Sequence, residues 1–318
     1  MDQRPRVLVT EAIHHSGIER LAKAADVIYL PERPGETIEQ HLAEIEGIVI
    51  RTAPMSAERI ARAARLKVIG KHGVGVDNID LAAARARGIS VVFTPGANAQ
   101  AVAEHAFTLM LMLSRRVLTY SRLLREGKFE VARAETLSND LLGKTLGLVG
   151  LGNVGTRLAK MCRGALEMKV LAFDPYVTPA RAAELDVELV SDLTPLLEAA
   201  DVISVHTPLT PETRGIIGTA ALTRMKPSAI LINCARGGLV DEAALLDALT
   251  NNRLAGAGLD TWATEPTPTD HPLLQLENVV ATPHIAGSSQ EAFQLVAETV
   301  AEDILTVLRG EAPRYPMR

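Results

Sequence analysis

Cysteine is almost missing from this sequence: Cys162 and Cys234 are its two thiols. They give no disulfide framework, and neither stands at a metal-ligand spacing from other donors. The eight histidines include His14-His15 but no His-x-x-x-His pair, so no metal is expected. Excess positive charge is missing too. With 33 Lys and Arg against 38 Asp and Glu, the net charge of −5 argues against nucleic acid or an anionic membrane as partner. No apolar run approaches the ~20 residues of a membrane span. The opening MDQRPRVLVT enters a strand-like stretch without the apolar core of a signal peptide. A cytoplasmic, metal-free protein is expected.

What the sequence does have is 47% hydrophobic residues over 318 positions, enough for two domains with real cores. Its organising stretch is 144–155, KTLGLVGLGNVG. Residues 145–149 form an apolar run of strand length. Gly150, Gly152 and Gly155 then give G-x-G-x-x-G around Asn153 and Val154, and Val154, Leu158, Met161 and Cys162 recur at helical spacing. The first glycine permits a tight turn, the second lets backbone approach a pyrophosphate, and the third lets helix and strand pack closely. The helix start supplies unpaired N–H groups and a positive dipole end. A second strand at 169–173 ends at Asp174, about 20 residues beyond the last glycine, where a carboxylate reaches an adenosine ribose. Strand, turn, helix and acid together imply dinucleotide binding. Asp174 would repel a 2′-phosphate, and Pro175-Tyr176-Val177 offers no arginine to receive one, so NAD is expected over NADP.

The first ninety-odd residues alternate strands (6–9, 27–30, 47–50, 67–69, 91–93) with helices (17–25, 38–45, 57–64, 81–87). Ser16, Thr37, Ser56 and Asp80 are the expected caps. Such alternation builds a parallel sheet with helices on both faces. Residues 98–125 show no strand pattern and read as one long helix or two in succession. Their apolar content exceeds the need of one surface helix, which makes the region an interdomain element or, the favoured reading, a subunit interface of a homodimer. Strands resume at 145–149, 169–173, 202–205, 230–233, 256–259 and 279–281, with a weaker one near 187–189. A capping box at Ser288-x-x-Glu291 opens a last helix of roughly twenty residues.

Polar clusters follow the later strands, at the sheet end where open α/β folds bind ligands. They are His206-Thr207-Pro208, then Asn233-Cys234-Ala235-Arg236, then Asp260 with Glu265, then Thr282-Pro283-His284. Each alone has a bland reading as an exposed loop. Arg, Glu and His at the lip of one nucleotide-binding sheet favour chemistry.

With these residues in view, the sequence resembles the D-2-hydroxyacid dehydrogenase family. The matching segments are GVGVDNIDLAAA, GKTLGLVGLGNVG, HTPLTPETRGII, INCARGGLVDEAALLDAL, AGAGLDTWATEP and ENVVATPHIAG. The resemblance implies two doubly wound parallel-sheet α/β domains: a Rossmann NAD-binding domain, residues 98–284, inserted in a flavodoxin-like substrate domain, residues 1–97 plus 285–318. The chain crosses between them near 97–98 and 285–287, so cofactor and substrate are expected in the cleft, which would close over them. The family's catalytic Arg, Glu and His fall on Arg236, Glu265 and His284. The matched segments also imply cofactor contacts from His206, Thr207, Pro208, Thr213, Cys234, Ala235, Arg236, Asp260, His284 and Gly287. Val74 and Gly75 would present backbone N–H groups to the substrate carboxylate.

Oxidising a 2-hydroxy acid moves a hydride to nicotinamide and a proton to a base, a task that suits imidazole near neutral pH. Glu265 would orient His284 and stabilise its protonated form. Arg236 offers a planar fork to a carboxylate.

Two departures from the family pattern stand out. Lys71-His72 replaces an Arg followed by a small residue, which leaves the substrate open. Thr261-Trp262 replaces Val-Phe, a change expected to affect packing alone. Two readings of Arg51, Lys71 and His72 stay open. Either they face the far end of a substrate such as phosphoglycerate or glycerate, or Arg51 and Lys71 are solvated or paired with local carboxylates. The expected substrates are phosphoglycerate, glycerate/hydroxypyruvate or a glyoxylate-like acid. A C-terminal regulatory extension with control by serine is not expected. The alternatives are an NAD-sensing corepressor-like protein and a formate or phosphite dehydrogenase of the same fold.

Overall fold

The computed structural model describes residues 4–134 and 138–317. It divides into two units, Met1–Asn98 with Ser288–Arg318, and Ala99–Gly287.

Among the described residues the first unit holds five strands: β1 (Arg6–Val9), β2 (Asp26–Tyr29), β3 (Gly47–Ile50), β4 (Val68–Lys71) and β5 (Ser90–Val92). They pair in the order β2-β1-β3-β4-β5, all parallel. Every residue of β3 and β4 is buried, as expected where helices cover both faces of a parallel sheet. The helix Gln290–Leu308 lies directly on β4. Glycine makes this possible, since a Cβ at Gly70 would stand 2.5 Å from Ile304 Cδ1 and 2.7 Å from Val300 Cγ2.

Two expected caps are displaced. The helix His15–Ala22 is capped by His14, whose ring nitrogen accepts the Ser16 N–H, so Ser16 lies inside the helix. The last helix is capped by Ser289, which accepts from the Ala292 N–H at 3.1 Å, and not by Ser288. Thr37, Ser56 and Asp80 do cap their helices.

The second unit holds β6 (Thr145–Val149), β7 (Lys169–Phe173), β8 (Glu188–Leu189), β9 (Val202–Val205), β10 (Ile230–Asn233), β11 (Gly256–Leu259) and β12 (Val279–Ala281). Their order is β12-β11-β10-β9-β6-β7-β8, again all parallel. Chain order reverses on either side of β6, and the crevice at the carboxyl ends beside such a switch is the ligand position of this architecture.

Residues 98–125 form two helices, Ala99–Ser114 and Val117–Arg125, broken at Arg116 with φ 50°. The first is a core helix of its own unit. Its Val102, Ala103, Ala106, Leu109 and Met110 are buried in the same core as Leu146, Leu158 and Ile232. Much of the apolar content of this half is therefore packed into its own unit. The second helix buries nothing and leaves Val117, Leu118 and Leu124 exposed.

Among the described residues no helix is long and apolar enough to cross a membrane.

Candidate active site

The glycine loop follows β6 and opens the helix Asn153–Leu166. Gly150 has φ +102°, a conformation that excludes other residues on strain alone. A Cβ at Gly155 would stand 2.4 Å from the Gly150 carbonyl oxygen, whereas one at Gly152 meets nothing within 4 Å. The third glycine is thus a packing requirement, and the second opens onto free space where a pyrophosphate can approach. No side chain caps the helix start at Asn153, which leaves its first N–H groups for an anion. Asp174 braces the loop. Its Oδ2 accepts the Leu151 N–H at 2.8 Å and its Oδ1 the Tyr176 N–H at 2.9 Å. Each oxygen keeps a lone pair for a ribose hydroxyl. These residues fit a dinucleotide. When bound, it supplies the hydride donor or acceptor.

The kcat/KM with NADH should exceed that with NADPH by at least about tenfold, because a 2′-phosphate would meet the Asp174 carboxylate. Parallel assays with the two nucleotides check this, and comparable values would reject it.

His206 lies beneath the loop, its Nε2 2.8 Å from Ser204 Oγ. Burial pushes its ring down to about 4, so it is neutral. The unfolded chain takes up a proton near 6.5 and the folded chain does not until about 4. Stability should therefore fall as pH drops from 6.5 toward 4, with an upper limit of roughly 3 kcal/mol from this group. Denaturant midpoints at pH 7 and 4.5 check the prediction: His206→Gln should lose less on acidification than the parent. Thr213 Oγ1 donates to the Pro208 carbonyl at 2.7 Å and accepts the Thr210 N–H at 2.8 Å, so it shapes the loop after β9. Cys234 is buried, and burial together with Asp260 pushes its thiol up, leaving it protonated.

His284 and Glu265 meet in the loops that follow β12 and β11. His284 Nδ1 lies 2.8 Å from Glu265 Oε2, both side chains more than one-third exposed. The carboxylate accepts the Nδ1–H hydrogen bond, which leaves Nε2 as the ring nitrogen that can exchange a proton. Trp262, expected to change packing alone, ties this pair together. Its backbone N–H donates to Glu265 Oε1 at 3.1 Å, and its indole N–H donates to the Thr282 carbonyl at 3.1 Å. Arg236 follows β10, with its Nη1 donating to the Ala235 carbonyl at 2.7 Å. Asn233 fixes that loop by donating to the Arg236 carbonyl at 2.9 Å and accepting the Ala235 N–H at 3.1 Å. Gly237 presses against the backbone of Trp262 and Ala263, which locks the Arg236 loop to the one bearing Glu265. Gly287 closes the second unit two residues beyond Ile285.

The first unit carries the other candidates. Arg51, after β3, holds its guanidinium 5.4 Å above the Phe293 ring and 3.5 Å from Ser288 Oγ. Lys71 does not join it as a free cation: its Nζ donates to the Arg51 carbonyl and, at 2.7 Å, to Asn78 Oδ1. His72 is buried edge-on against Phe293, ring centroids 5.1 Å apart. Burial and then the Arg51 charge push its ring down to about 4. The expected basic trio thus reduces to one outward cation, Arg51. Val74 is exposed, and among the described residues no protein acceptor meets the backbone N–H of Val74 or Gly75.

Comparison with known proteins follows the same lines. Residues 107–286 match the family model described as D-isomer specific 2-hydroxyacid dehydrogenase, NAD binding domain. The chain is 45% identical to D-3-phosphoglycerate dehydrogenase of Archaeoglobus fulgidus over 309 residues, 96% of this chain and 58% of that protein. It therefore spans little more than half the length of that relative. It is 40% identical to glyoxylate reductase of Korarchaeum cryptofilum over 98% of this chain and 95% of that protein. Among solved structures, the TT0316 protein of Thermus thermophilus superposes with a TM-score of 0.88 at 39% identity, covering 98% of this chain and all of that one.

Proposed function

We propose that this chain, which belongs to the D-isomer specific 2-hydroxyacid dehydrogenase family, interconverts a short 2-hydroxy acid and its 2-oxo acid with NAD. The observation that carries the reading is the His284–Glu265 pair at 2.8 Å, set at the carboxyl end of the sheet that bears the glycine loop. In the reducing direction His284 Nε2 gives a proton to the carbonyl oxygen, and in the oxidising direction it takes one from the hydroxyl. Glu265 holds the ring by its Nδ1–H. Arg236 binds the substrate carboxylate or the developing alkoxide. The Val74 and Gly75 N–H groups are further donors to the substrate carboxylate in this reading.

Arg51 selects the far end of the substrate in this reading. A phosphorylated or otherwise polar 2-hydroxy acid then outcompetes lactate-like acids. A hydrogen bond to a charged group contributes roughly 1.5–3 kcal/mol, or about 10- to 150-fold in kcat/KM. Arg51→Ala should lose that factor on 3-phosphohydroxypyruvate while glyoxylate, which has no far end, changes little. Equal losses on both, or faster turnover of branched 2-oxo acids by the parent, would reject this role for Arg51.

The active form is a homodimer in this proposal. Val117, Leu118, Leu124, Phe129 and Leu142 stand 47–63% exposed, large apolar side chains of the kind a second copy covers.

A further inference from the structure

The backbone of His284 lies in the left-handed region, at φ 55°. A residue with a Cβ stays there only when its surroundings hold it. The holding group is Asp260, which ends β11 and has no exposed surface. Its carbonyl accepts the His284 N–H at 2.7 Å. Its carboxylate accepts the next two backbone donors, Ile285 N–H at 2.9 Å and Ala286 N–H at 2.8 Å. A fully buried carboxylate must be met by donors on its remaining lone pairs as well.

Those donors come from elsewhere in the chain. Thr282 Oγ1 lies 2.6 Å from Asp260 Oδ1, and His105 Nε2 lies 3.0 Å from that same hydroxyl and 3.7 Å from Oδ1. A threonine hydroxyl has one proton, and the short contact to the carboxylate uses it. His105 Nε2–H is therefore the donor to Thr282. His105 stands on the helix Ala99–Ser114. That helix reaches the sheet here because β11 carries Gly258, where a Cβ would come within 3.0 Å of Leu109 Cβ.

We propose that His105 is a positioning residue for His284: through Thr282 it orients the Asp260 carboxylate that fixes residues 284–286. The kinetic consequence rests on the reading of His284 as proton carrier; the structural consequence does not.

Amide hydrogen exchange over residues 285–286, run beside steady-state kinetics, tests the proposal. In His105→Ala, exchange at Ile285 and Ala286 should accelerate about tenfold or more, the scale of a lost hydrogen bond to a charged network. On that same scale kcat should fall about tenfold while KM for NADH stays within about twofold. His105→Gln, which keeps a side-chain N–H, should restore both. Thr282→Val should reproduce the His105→Ala effects, Thr282→Ser should not, and adding His105→Ala to Thr282→Val should cause no further loss. Parent-like exchange in folded His105→Ala, equal defects in the Ala and Gln variants, or additive losses would overturn the proposal. Should His105→Ala fail to fold, parent-like exchange in Thr282→Val would overturn it alone. If the parent turns over no 2-oxo acid, the functional reading fails, and exchange still decides the role of His105.

Discussion

Replacing His284 by alanine is expected to lower kcat for 2-oxo acid reduction by about 10²- to 10⁴-fold, the contribution of a positioned general acid–base. The pairing with Glu265 at 2.8 Å commits one ring nitrogen to the carboxylate and leaves the other for the substrate. The Trp262 N–H holds Glu265, and the Asp260 carbonyl accepts the His284 N–H. Alanine removes the proton carrier and leaves the glycine loop and Asp174 as they are. NADH affinity, read by fluorescence titration, should therefore change little while turnover collapses. A loss below about tenfold would assign the proton to another group.

Gly237→Ala should damage stability and activity together. The new Cβ would stand 1.9 Å from the Trp262 carbonyl carbon, 2.2 Å from its oxygen and 2.3 Å from the Ala263 nitrogen. All three are backbone atoms, so no side-chain rotation relieves the clash and one loop must move. Overpacking of this kind costs about 1–3 kcal/mol and sometimes more, which lowers Tm by roughly 2–12 °C for a unit of this size. The displaced loops carry Arg236 and Glu265, so kcat/KM should fall as well. Calorimetry with parallel kinetics measures both, and a variant with parent-like Tm and turnover would show that the loops are not locked as described.

Much of the fold was legible because a parallel sheet buries its strands on both faces, and runs such as 47–50 or 230–232 are apolar throughout. The glycine loop was legible for a different reason: the need for positive φ at Gly150 and for close approach at Gly155 restricts those positions to one residue type. Helix starts were less so. Ser16 and Ser288 each sit within two residues of the true cap, and either of two neighbouring polar side chains can satisfy the same N–H groups. The side-chain direction of a strand-end cation carries no periodic signal. Arg51 points outward over Phe293 while Lys71 turns back onto the Arg51 carbonyl, and the two read alike in sequence. His105 was invisible in its setting of apolar helix residues, since its partner Thr282 is 177 positions away. Trp262 read as packing because its two hydrogen bonds join loops whose proximity only the folded sheet creates.

The most direct measurement is NADH formation by the purified chain from NAD and paired enantiomers of 2-hydroxy acids, with glycerate and 3-phosphoglycerate included. NADH should form with a D enantiomer and not with the L form, and the signal should be lost in His284→Ala. A folded protein that binds NADH yet reduces NAD with no 2-hydroxy acid, or does so equally with both enantiomers, would contradict the proposed function.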